Sequence, residues 1–326
     1  MIVVIGEALI DLVADSDGRF AARPGGAGFN TARTIGRLGV TPAFLDRLSG
    51  DGFGHLLRST LDSDGVMLAV PEPAGLPTTL ALVDVDVAGV PRYRFYLDGT
   101  SAPALEYPAL ARAVPAGVTA LHAGGLALAA EPIATSIDRL IAADLPQGTL
   151  LMIDPNCRPE AIADRPAYLA RLARMLRRAD AVKVSVEDLD YLAPGIPAAS
   201  AAADLLGQGP ALVLLTDGPH PARAFLRDEV VSATAPAVTV ADTVGAGDAF
   251  GGAFLAWWSR SGLTRADLHK PAPVHGALQA ATEVAALTCT RVGAEPPWLA
   301  EVADRPGWRS GFGAPRSPGT PAAQPR

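Results

Sequence analysis

Short apolar runs recur along the chain and are separated by helical patterns. Residues 2–5 form an unbroken β-branched run, and similar runs occupy 150–153, 181–184 and 212–215. Because these runs lack polar alternation, they predict strands that are buried on both faces. Helical patterns lie between them at 132–143, 167–178 and 186–192. This alternation predicts an α/β domain with a mostly parallel central sheet.

One segment alternates instead of running apolar. Between Thr79 and Thr100, apolar and polar positions follow one another on both sides of Gly89. This pattern favours an antiparallel hairpin with one covered and one solvated face, and residues 11–20 offer a further strand. We expect these pieces to form a small sheet that acts as a lid or as a dimer contact. An edge extension of the main sheet is the alternative.

Composition supports a large core and disfavours several partners. The 326 residues are 49% hydrophobic and 19% charged, with a formal net charge of −7. A disordered chain is excluded, and an acidic body is a poor partner for nucleic acid. Two cysteines and five histidines fit neither a disulfide framework nor a zinc cluster. We expect a cytoplasmic protein, because its thiols are expected to be free and its start lacks a signal-peptide pattern. Glycine and proline interrupt the uncharged stretch 113–130, which favours a buried strand with a glycine turn over a membrane helix.

Lysine is scarce in a way that limits phosphate chemistry. Of the 27 basic residues, only Lys183 and Lys270 are lysines. Neither follows a glycine, so the chain has no Gly-Lys-Ser/Thr phosphate loop. Any ATP site must therefore use another device.

A glycine turn near the end of the chain offers such a device. Gly245, Ala246 and Gly247 precede Asp248 and a helical pattern. Backbone N–H groups and the helix dipole make an anion site at such a position. A carboxylate there repels an anion, unless it takes a proton from the group that attacks that anion. An ordinary acidic residue in a first helical turn is the alternative interpretation.

Two further clusters are less specific. Gly25, Gly26 and Asn30 lead into a predicted helix, and residues 154–158 (Asp-Pro-Asn-Cys-Arg) follow a predicted strand. Each alone is ordinary turn and capping chemistry, although ligands bind beyond the carboxyl ends of parallel strands.

Taken in their order along the chain, the three clusters resemble the ribokinase-like (PfkB-type) sugar kinases. The resemblance runs from Ile5 to Ala294, and the Asp-Thr-x-Gly-Ala-Gly-Asp element at 242–248 is highly specific. Within the family the chain is most similar to bacterial fructokinases, through residues 6–11, 98–100 and 154–159. The resemblance implies a three-layer α/β sandwich with a small β-sheet lid. We expect a core at 1–10, 21–78 and 101–304, a lid at 11–20 and 79–100, and a disordered tail at 305–326.

The resemblance also implies roles for matching positions. Asp248 is expected to be the catalytic base, with Gly245, Ala246 and Gly247 as the anion hole. The expected sugar-binding residues are Asp11, Gly25, Gly26 and Asn30, with Arg94 and Arg158 available to an acidic acceptor. The expected nucleotide contacts are Lys183, Ser185, Thr216, Gly218, Gly245 and Gly247. Asp242 and the Val244 carbonyl match a monovalent-cation site.

One motif departs from the family. The commoner Asn-x-x-Glu is replaced by Ser185 and Asp188, with Glu187 adjacent. Which of the two carboxylates orders the Mg²⁺ shell is therefore left open by the sequence.

The reaction implied is ATP-dependent phosphorylation of a ketohexose, with fructose first and with Mg²⁺ and K⁺ as cofactors. Alternatives are ribose, 2-keto-3-deoxygluconate or a nucleoside as acceptor, and a non-catalytic sugar-binding relative. No nucleic-acid or membrane partner is expected. A homodimer through the lid and a monomer both remain open.

Overall fold

The computed structural model describes residues 1–14, 17–85 and 91–309. Its strands in chain order are β1 Ile2–Ile5, β2 Leu9–Ala14, β3 Phe20–Gly25, β4 Ala43–Phe44, β5 Met67–Leu68, β6 Leu80–Val85, β7 Pro91–Tyr96, β8 Ala120–Gly124, β9 Leu150–Asp154, β10 Ala181–Ser185, β11 Leu212–Thr216, β12 Ala222–Phe225 and β13 Val230–Ala233. Its α-helices are α1 Ala27–Arg37, α2 Gly52–Ser63, α3 Ala109–Ala113, α4 Ile133–Arg139, α5 Arg165–Leu176, α6 Val186–Leu192, α7 Ala198–Leu206, α8 Ala246–Arg260, α9 Pro271–Thr288, α10 Leu299–Val302 and α11 Pro306–Arg309.

The large sheet forms the middle layer of a sandwich. Its strand order is β13-β12-β11-β10-β9-β8-β1-β4-β5, parallel except for the antiparallel edge strands β12 and β13. Side chains from α1, α8 and α9 fill the core on one face, whereas those from α4, α5 and α7 fill the core on the other. The predicted three-layer α/β class is confirmed. Because the seven parallel strands share one direction, their carboxyl ends meet at one edge of the sheet.

The small sheet is separate from the large one. Its order is β3-β2-β6-β7, with β2 and β6 parallel and the outer pairs antiparallel. A separate sheet was the expected lid, so the edge-extension alternative is wrong. Strand β2 begins at Leu9 and β3 ends at Gly25, which are wider bounds than the predicted 11–20, because Leu9 pairs with Gly25. The expected hairpin turn at Gly89, within 86–90, and residues 15–16 lie outside the described residues.

The chain is still folded beyond residue 305, where the disordered tail was predicted to begin. Helix α11 spans Pro306–Arg309, and Trp308 is completely buried. The Trp257 indole N–H donates to the Gly307 carbonyl at 3.0 Å, and the Gly307 N–H donates to Glu283 at 3.1 Å. Burial of one large indole is enough to fix this turn against α9. Disorder was thus the wrong expectation for 305–309, and residues 310–326 lie outside the described part.

The uncharged stretch at 113–130 contains a core strand. Residues Ala120–Gly124 form β8, which is buried throughout and pairs with β1 and β9. In the described portions of the chain, no helix has the length and apolarity needed to cross a membrane.

A buried ion-pair network ties α1 to a loop near the end of the chain. The Arg33 guanidinium donates to Asp64 at 2.6 Å, to the Ala294 carbonyl at 2.9 Å and to Glu295 at 3.0 Å. The side chains of Arg33 and Asp64 are 3% and 1% exposed. A side chain at Gly245 would collide with Ala294, so the network also fixes the loop that abuts the glycine turn.

We predict that Asp64→Asn lowers the free energy of unfolding by about 3 kcal/mol, because it leaves the buried Arg33 charge without its closest partner. Urea denaturation followed by circular dichroism measures the change. The matched control is Asp304→Asn, which removes an exposed partner of Arg309 and should cost less than about 1 kcal/mol. Equal losses in the two variants would contradict the role assigned to the network.

Candidate functional site

Asp248 lies in the first turn of α8 at the carboxyl edge of the sheet. It is 8% exposed. The helix starts at Gly245, whose φ of 77° is left-handed and whose Cα faces Ala294. Only glycine fits there, because a side chain would be both strained and in collision. The Gly-Ala-Gly spacing thus fixes where the carboxylate emerges.

Two asparagines hold the Asp248 carboxylate. Asn30 Nδ2 donates to one oxygen at 2.9 Å, and Asn156 Nδ2 approaches the other at 3.4 Å. Asn156 has a φ of 40°, a conformation that costs energy for a residue with a side chain and that clusters at functional sites. The sequence predicted Asn30 as a site residue. Asn156 was noticed only as part of a strand-end cluster, which is the signal that points to it.

The surroundings shift the ionisation of Asp248. Burial raises the pKa of its carboxyl, while the Asn30 hydrogen bond and the charges of Lys183 and Arg158 oppose that rise, and the net direction is upward. A raised pKa makes the carboxylate a better proton acceptor than an exposed aspartate. The site can therefore carry out general base chemistry.

The turn that precedes Asp248 is directed for anion binding. Gly245, Ala246 and Gly247 lie at the N-terminus of the fifteen-residue α8, where the helix dipole is positive. The Ala246 N–H donates to the Thr243 carbonyl at 3.2 Å, which closes the turn.

The lid side brings Asp11, Gly25 and Gly26 to the same edge. A side chain at Gly25 would collide with the Asp11 carboxylate, so the two positions are in contact. Burial, followed by the charge of Asp248, raises the pKa of Asp11 to about 6. Gly26 has a φ of 109° and crosses the Glu7 carbonyl, which only glycine allows. This is the junction between β3 of the lid and α1 of the core.

The two candidate arginines are placed differently. Arg158 is exposed, and its charge acts on both Asp248 and the half-buried Tyr93 of the lid. Tyr93 stacks on Phe95, and Phe95 packs toward the core. Arg94 lies between them and is exposed, so strand alternation directs it to the opposite face. The structure brings Arg158 to the site and leaves Arg94 away from it, whereas sequence reasoning missed Tyr93.

The expected nucleotide residues fall at neighbouring strand ends. Ser185 of β10 and Thr216 of β11 are in register, and Gly218 is exposed beyond them with open space around it. Lys183 differs, because its side chain is 4% exposed and its ammonium pairs with Asp154 at 3.1 Å. It lies below the sheet edge rather than at its surface.

The candidate Mg²⁺ carboxylates also differ from each other. Asp188 is buried and accepts from the Cys157 N–H at 2.7 Å, from the Ser185 N–H at 2.8 Å and from the Ser185 hydroxyl at 2.9 Å. It closes a capping box on α6 and fixes the loop after β9. Glu187 is exposed. Within the described residues, no three side chains that could ligate a metal lie together. So few protein ligands suit a Mg²⁺ ion that keeps most of its water and phosphate ligands.

Asp242, at the expected monovalent-cation position, links two loops through its carboxylate. One carboxylate oxygen accepts from the Val244 N–H at 3.1 Å, and the other accepts from the Gly293 N–H at 2.8 Å. The backbone carbonyl of Val244 lies in the turn that leads to Gly245.

Two buried polar residues near the edge were not predicted as site residues. Glu7 Oε1 accepts from the Ala27 N–H at 2.7 Å, and burial raises its pKa to about 7. His122 lies within the buried strand β8. It is buried, but neither ring nitrogen has a hydrogen-bond partner among the described residues. The sequence could have indicated both residues, because Glu7 closely follows the apolar run of β1 and His122 interrupts the apolar run of β8.

Comparison with known proteins gives a consistent result. A family model described as "pfkB family carbohydrate kinase" matches residues 1–301. The fructokinase of Rhizobium leguminosarum bv. trifolii is 35% identical over 263 residues, which are 78% of this chain and 79% of that protein.

Solved structures are similar over most of the chain. Fructokinase with bound ATP from Xylella fastidiosa has a TM-score of 0.81 at 29% identity, covering 92% of this chain and 96% of that one. Fructokinase from Vibrio cholerae O395 in its fructose-, ADP- and calcium-bound form has a TM-score of 0.79 at 28% identity, covering 90% and 94%.

The buried Glu7 predicts a pH dependence of stability. A carboxyl whose pKa rises from 4.5 to about 7 on folding stabilises the fold fully below about pH 4.5 and loses that contribution as the pH rises to about 7. The loss corresponds to about 3 kcal/mol. Glu7→Gln does not titrate, so we expect its stability relative to wild type to increase between pH 5 and 8 in urea denaturation. The control Glu72→Gln, at an exposed position, should follow wild type, and parallel curves for all three proteins would contradict the prediction.

Proposed function

The chain belongs to the pfkB family of carbohydrate kinases and is an ATP-dependent sugar kinase, and we propose that it transfers the γ-phosphate of ATP to a primary hydroxyl of fructose. The observation that carries the chemistry is the Asp248 carboxylate, buried at the start of α8 and held by Asn30. A costly buried acid directly after an anion-binding turn is explained when it accepts the proton of an attacking hydroxyl.

The reaction follows from positioning and charge. The sugar lies under the lid, with its hydroxyls on Asp11 and Asn30 and the reacting hydroxyl on Asp248. As that oxygen attacks the γ-phosphorus, the bond from phosphorus to the bridging oxygen breaks and ADP leaves, while Asp248 takes the hydroxyl proton. The positive N-terminus of α8 at the glycine turn stabilises the charge that spreads over the phosphoryl oxygens. The lid closes about the Gly25–Gly26 junction and excludes water, which limits ATP hydrolysis.

The nucleotide extends over the neighbouring strand ends. It contacts Ser185, Thr216 and Gly218. This assignment is supported by the register of the sheet, in which Ser185 and Thr216 are paired at the ends of adjacent strands. Mg²⁺, when bound, neutralises phosphate charge. The exposed Glu187 orders its water shell, because Asp188 is committed to the α6 cap. K⁺ is assigned to Asp242 and the Val244 carbonyl, beside the anion hole.

Fructose is the proposed acceptor because the relatives that match most of this chain are named fructokinases. Ribose and a nucleoside remain alternatives. The acid 2-keto-3-deoxygluconate is less well supported, since an acidic acceptor favours an arginine fork and only Arg158 of the two candidates lies near the base.

Two further properties remain proposals. A homodimer through the lid is one of them, and its candidate contacts are Phe20 and Tyr96, which are 56% and 49% exposed on the two outer strands of the small sheet. Sedimentation velocity over a concentration range tests for the dimer.

A cytoplasmic location is proposed because ATP is a substrate and both cysteines are free thiols.

An ADP-release assay across a sugar panel tests the acceptor. We expect the highest kcat/KM with fructose, ahead of ribose, 2-keto-3-deoxygluconate and a nucleoside. A higher value for one of the others replaces fructose as the acceptor. Absence of any phosphorylated product favours the non-catalytic sugar-binding alternative.

The base is tested by Asp248→Asn. We expect the variant to fold and to bind ATP, with kcat lower by roughly 10²–10⁴-fold, because the amide cannot accept the hydroxyl proton. The exposed Asp228→Asn is the matched control and should retain wild-type kcat. Near-normal turnover of Asp248→Asn on every substrate would remove the assignment.

A further inference from the structure

Lys183 is a buried ammonium in a chain that otherwise uses arginine. Lys183 is one of the two lysines of the chain. It lies in the middle of the large sheet and is only 3% exposed. The Nζ atom lies 3.1 and 3.4 Å from the two carboxylate oxygens of Asp154 on the neighbouring strand. Burying such a pair costs desolvation energy and adds little net stability compared with apolar side chains. Stability alone therefore does not account for it.

The ammonium lies against the anion-hole turn. A Cβ built on Gly247 would be 2.9 Å from Lys183 Nζ, so the lysine fills the space that a side chain there would need. The N-terminus of a helix is already positive, and a cation beside it is unfavourable unless negative charge is also bound there. Asp154 lies against the ammonium, at 3.1 Å. Burial raises the pKa of its carboxyl to about 7 against the opposing charge of Lys183, so Asp154 balances the lysine charge only in part.

Carboxylates surround the ammonium. Burial by itself lowers the pKa of Lys183, but the charges of Asp154, Asp188 and Asp248 outweigh burial and raise it. The remaining ionisable neighbour, His122, stays neutral, because burial and the lysine charge lower its pKa to about 3. Arg158 is a second cation whose charge reaches Asp248, but it is exposed. Lys183 is thus a fixed positive charge over the working pH range.

We infer that Lys183 is a positioning residue that holds the Gly245–Gly247 turn at positive potential and keeps the Asp248 carboxylate ionised, without contacting the nucleotide at the surface of the site. This inference rests on the proposed kinase function and deepens it. The glycine at 247 has a second role here, since it leaves room for the ammonium beneath the phosphoryl group. Arg158 cannot replace this charge, because solvent screens it.

The first test is Lys183→Met, which keeps the length of the side chain and removes its charge. We expect kcat/KM to fall by about 10²–10³-fold, the usual cost of removing one stabilising group for the transferred charge. The acidic limb of the pH–rate profile should move to higher pH relative to wild type, because Asp248 loses a nearby cation and its pKa rises further. Asp11 and Glu7 also interact with Asp248 and have pKa values of about 6 and 7, so the shift is read as the difference between the variant and wild type, in which both carboxyls are unchanged. Lys270→Met is the matched control at an exposed lysine and should change neither quantity.

A double variant separates this role from simple neutralisation of Asp154. Lys183→Met with Asp154→Asn removes both charges and keeps the packing, so it should fold even where the single variant does not. If Lys183 acts on the turn, the double variant stays impaired in kcat/KM, because the turn still lacks its cation. Its acidic limb should lie between those of wild type and Lys183→Met, since loss of the Asp154 charge partly offsets the effect on Asp248. Recovery of wild-type kcat/KM and pH profile would overturn the inference.

A measurement without turnover uses the scarcity of lysine. Lysine labelled with an NMR-active isotope at Cε gives two side-chain signals, and the Lys270→Met variant assigns them. We expect the Lys183 signal to move on addition of a non-hydrolysable ATP analogue with Mg²⁺ and the Lys270 signal to stay. An unmoved Lys183 signal in nucleotide-saturated protein would overturn the inference.

The two proposals fail in different ways. If fructose and the other sugars yield no product, the proposed function fails whatever Lys183 does. If wild-type protein phosphorylates a sugar and Lys183→Met does so equally well, the proposed function stands and only the inference about Lys183 fails.

Discussion

The hydrogen bond between Asn30 and Asp248 is the contact on which the site depends. It joins residues that are 218 positions apart in the chain and lie near the starts of α1 and α8. Both helices can begin at this point only because glycines precede them: Gly26 lets α1 cross the end of β1, and Gly245 lets α8 start against Ala294. The Arg33 network then fixes Ala294 from the next turn of α1. One helix therefore supports both the proposed base, Asp248, and the loop behind the proposed anion hole.

The carboxyl edge of the sheet concentrates acidic groups at a cost to the fold. Burial raises the pKa of Glu7, Asp46 and Asp248, and each of these carboxylates is less stable here than in water. The fold reduces the cost with donors: Asn30 serves Asp248, and the Ala27 N–H serves Glu7. An acidic rim would repel a nucleotide if nothing offset it. The glycine turn, the α8 dipole and the buried ammonium of Lys183 supply positive potential without a phosphate-loop lysine.

The sequence predicted the parts of this arrangement that are local. Apolar runs located β1, β9, β10 and β11 to within a residue, because strands buried on both faces leave a continuous signal. The two-residue strands β4 and β5 gave no such signal. Helix α1 begins at Ala27, so Asn30 lies within it rather than before it, since the start of the helix is set by contact with Glu7. Asn30 could be found through its glycine cluster. The contact of Asn156 with Asp248, the outward direction of Arg94 and the burial of Lys183 depend on partners that are distant in sequence.

The lid is coupled to the base through a short, continuous stretch of chain. Strand β3 ends at Gly25, Gly26 turns with positive φ, and α1 begins at Ala27, so Asn30 lies one helical turn from the lid. Within the small sheet, Leu9 pairs with Gly25 and Asp11 touches it, so the carboxylate proposed to bind the sugar is attached to the same strand pair. In the proposed mechanism, a displacement of β3 that closes the lid rotates the chain at Gly26. The Glu7 carboxyl holds the Ala27 N–H and Asn30 donates to Asp248, so these two hydrogen bonds are the contacts that oppose a spread of that rotation into α1.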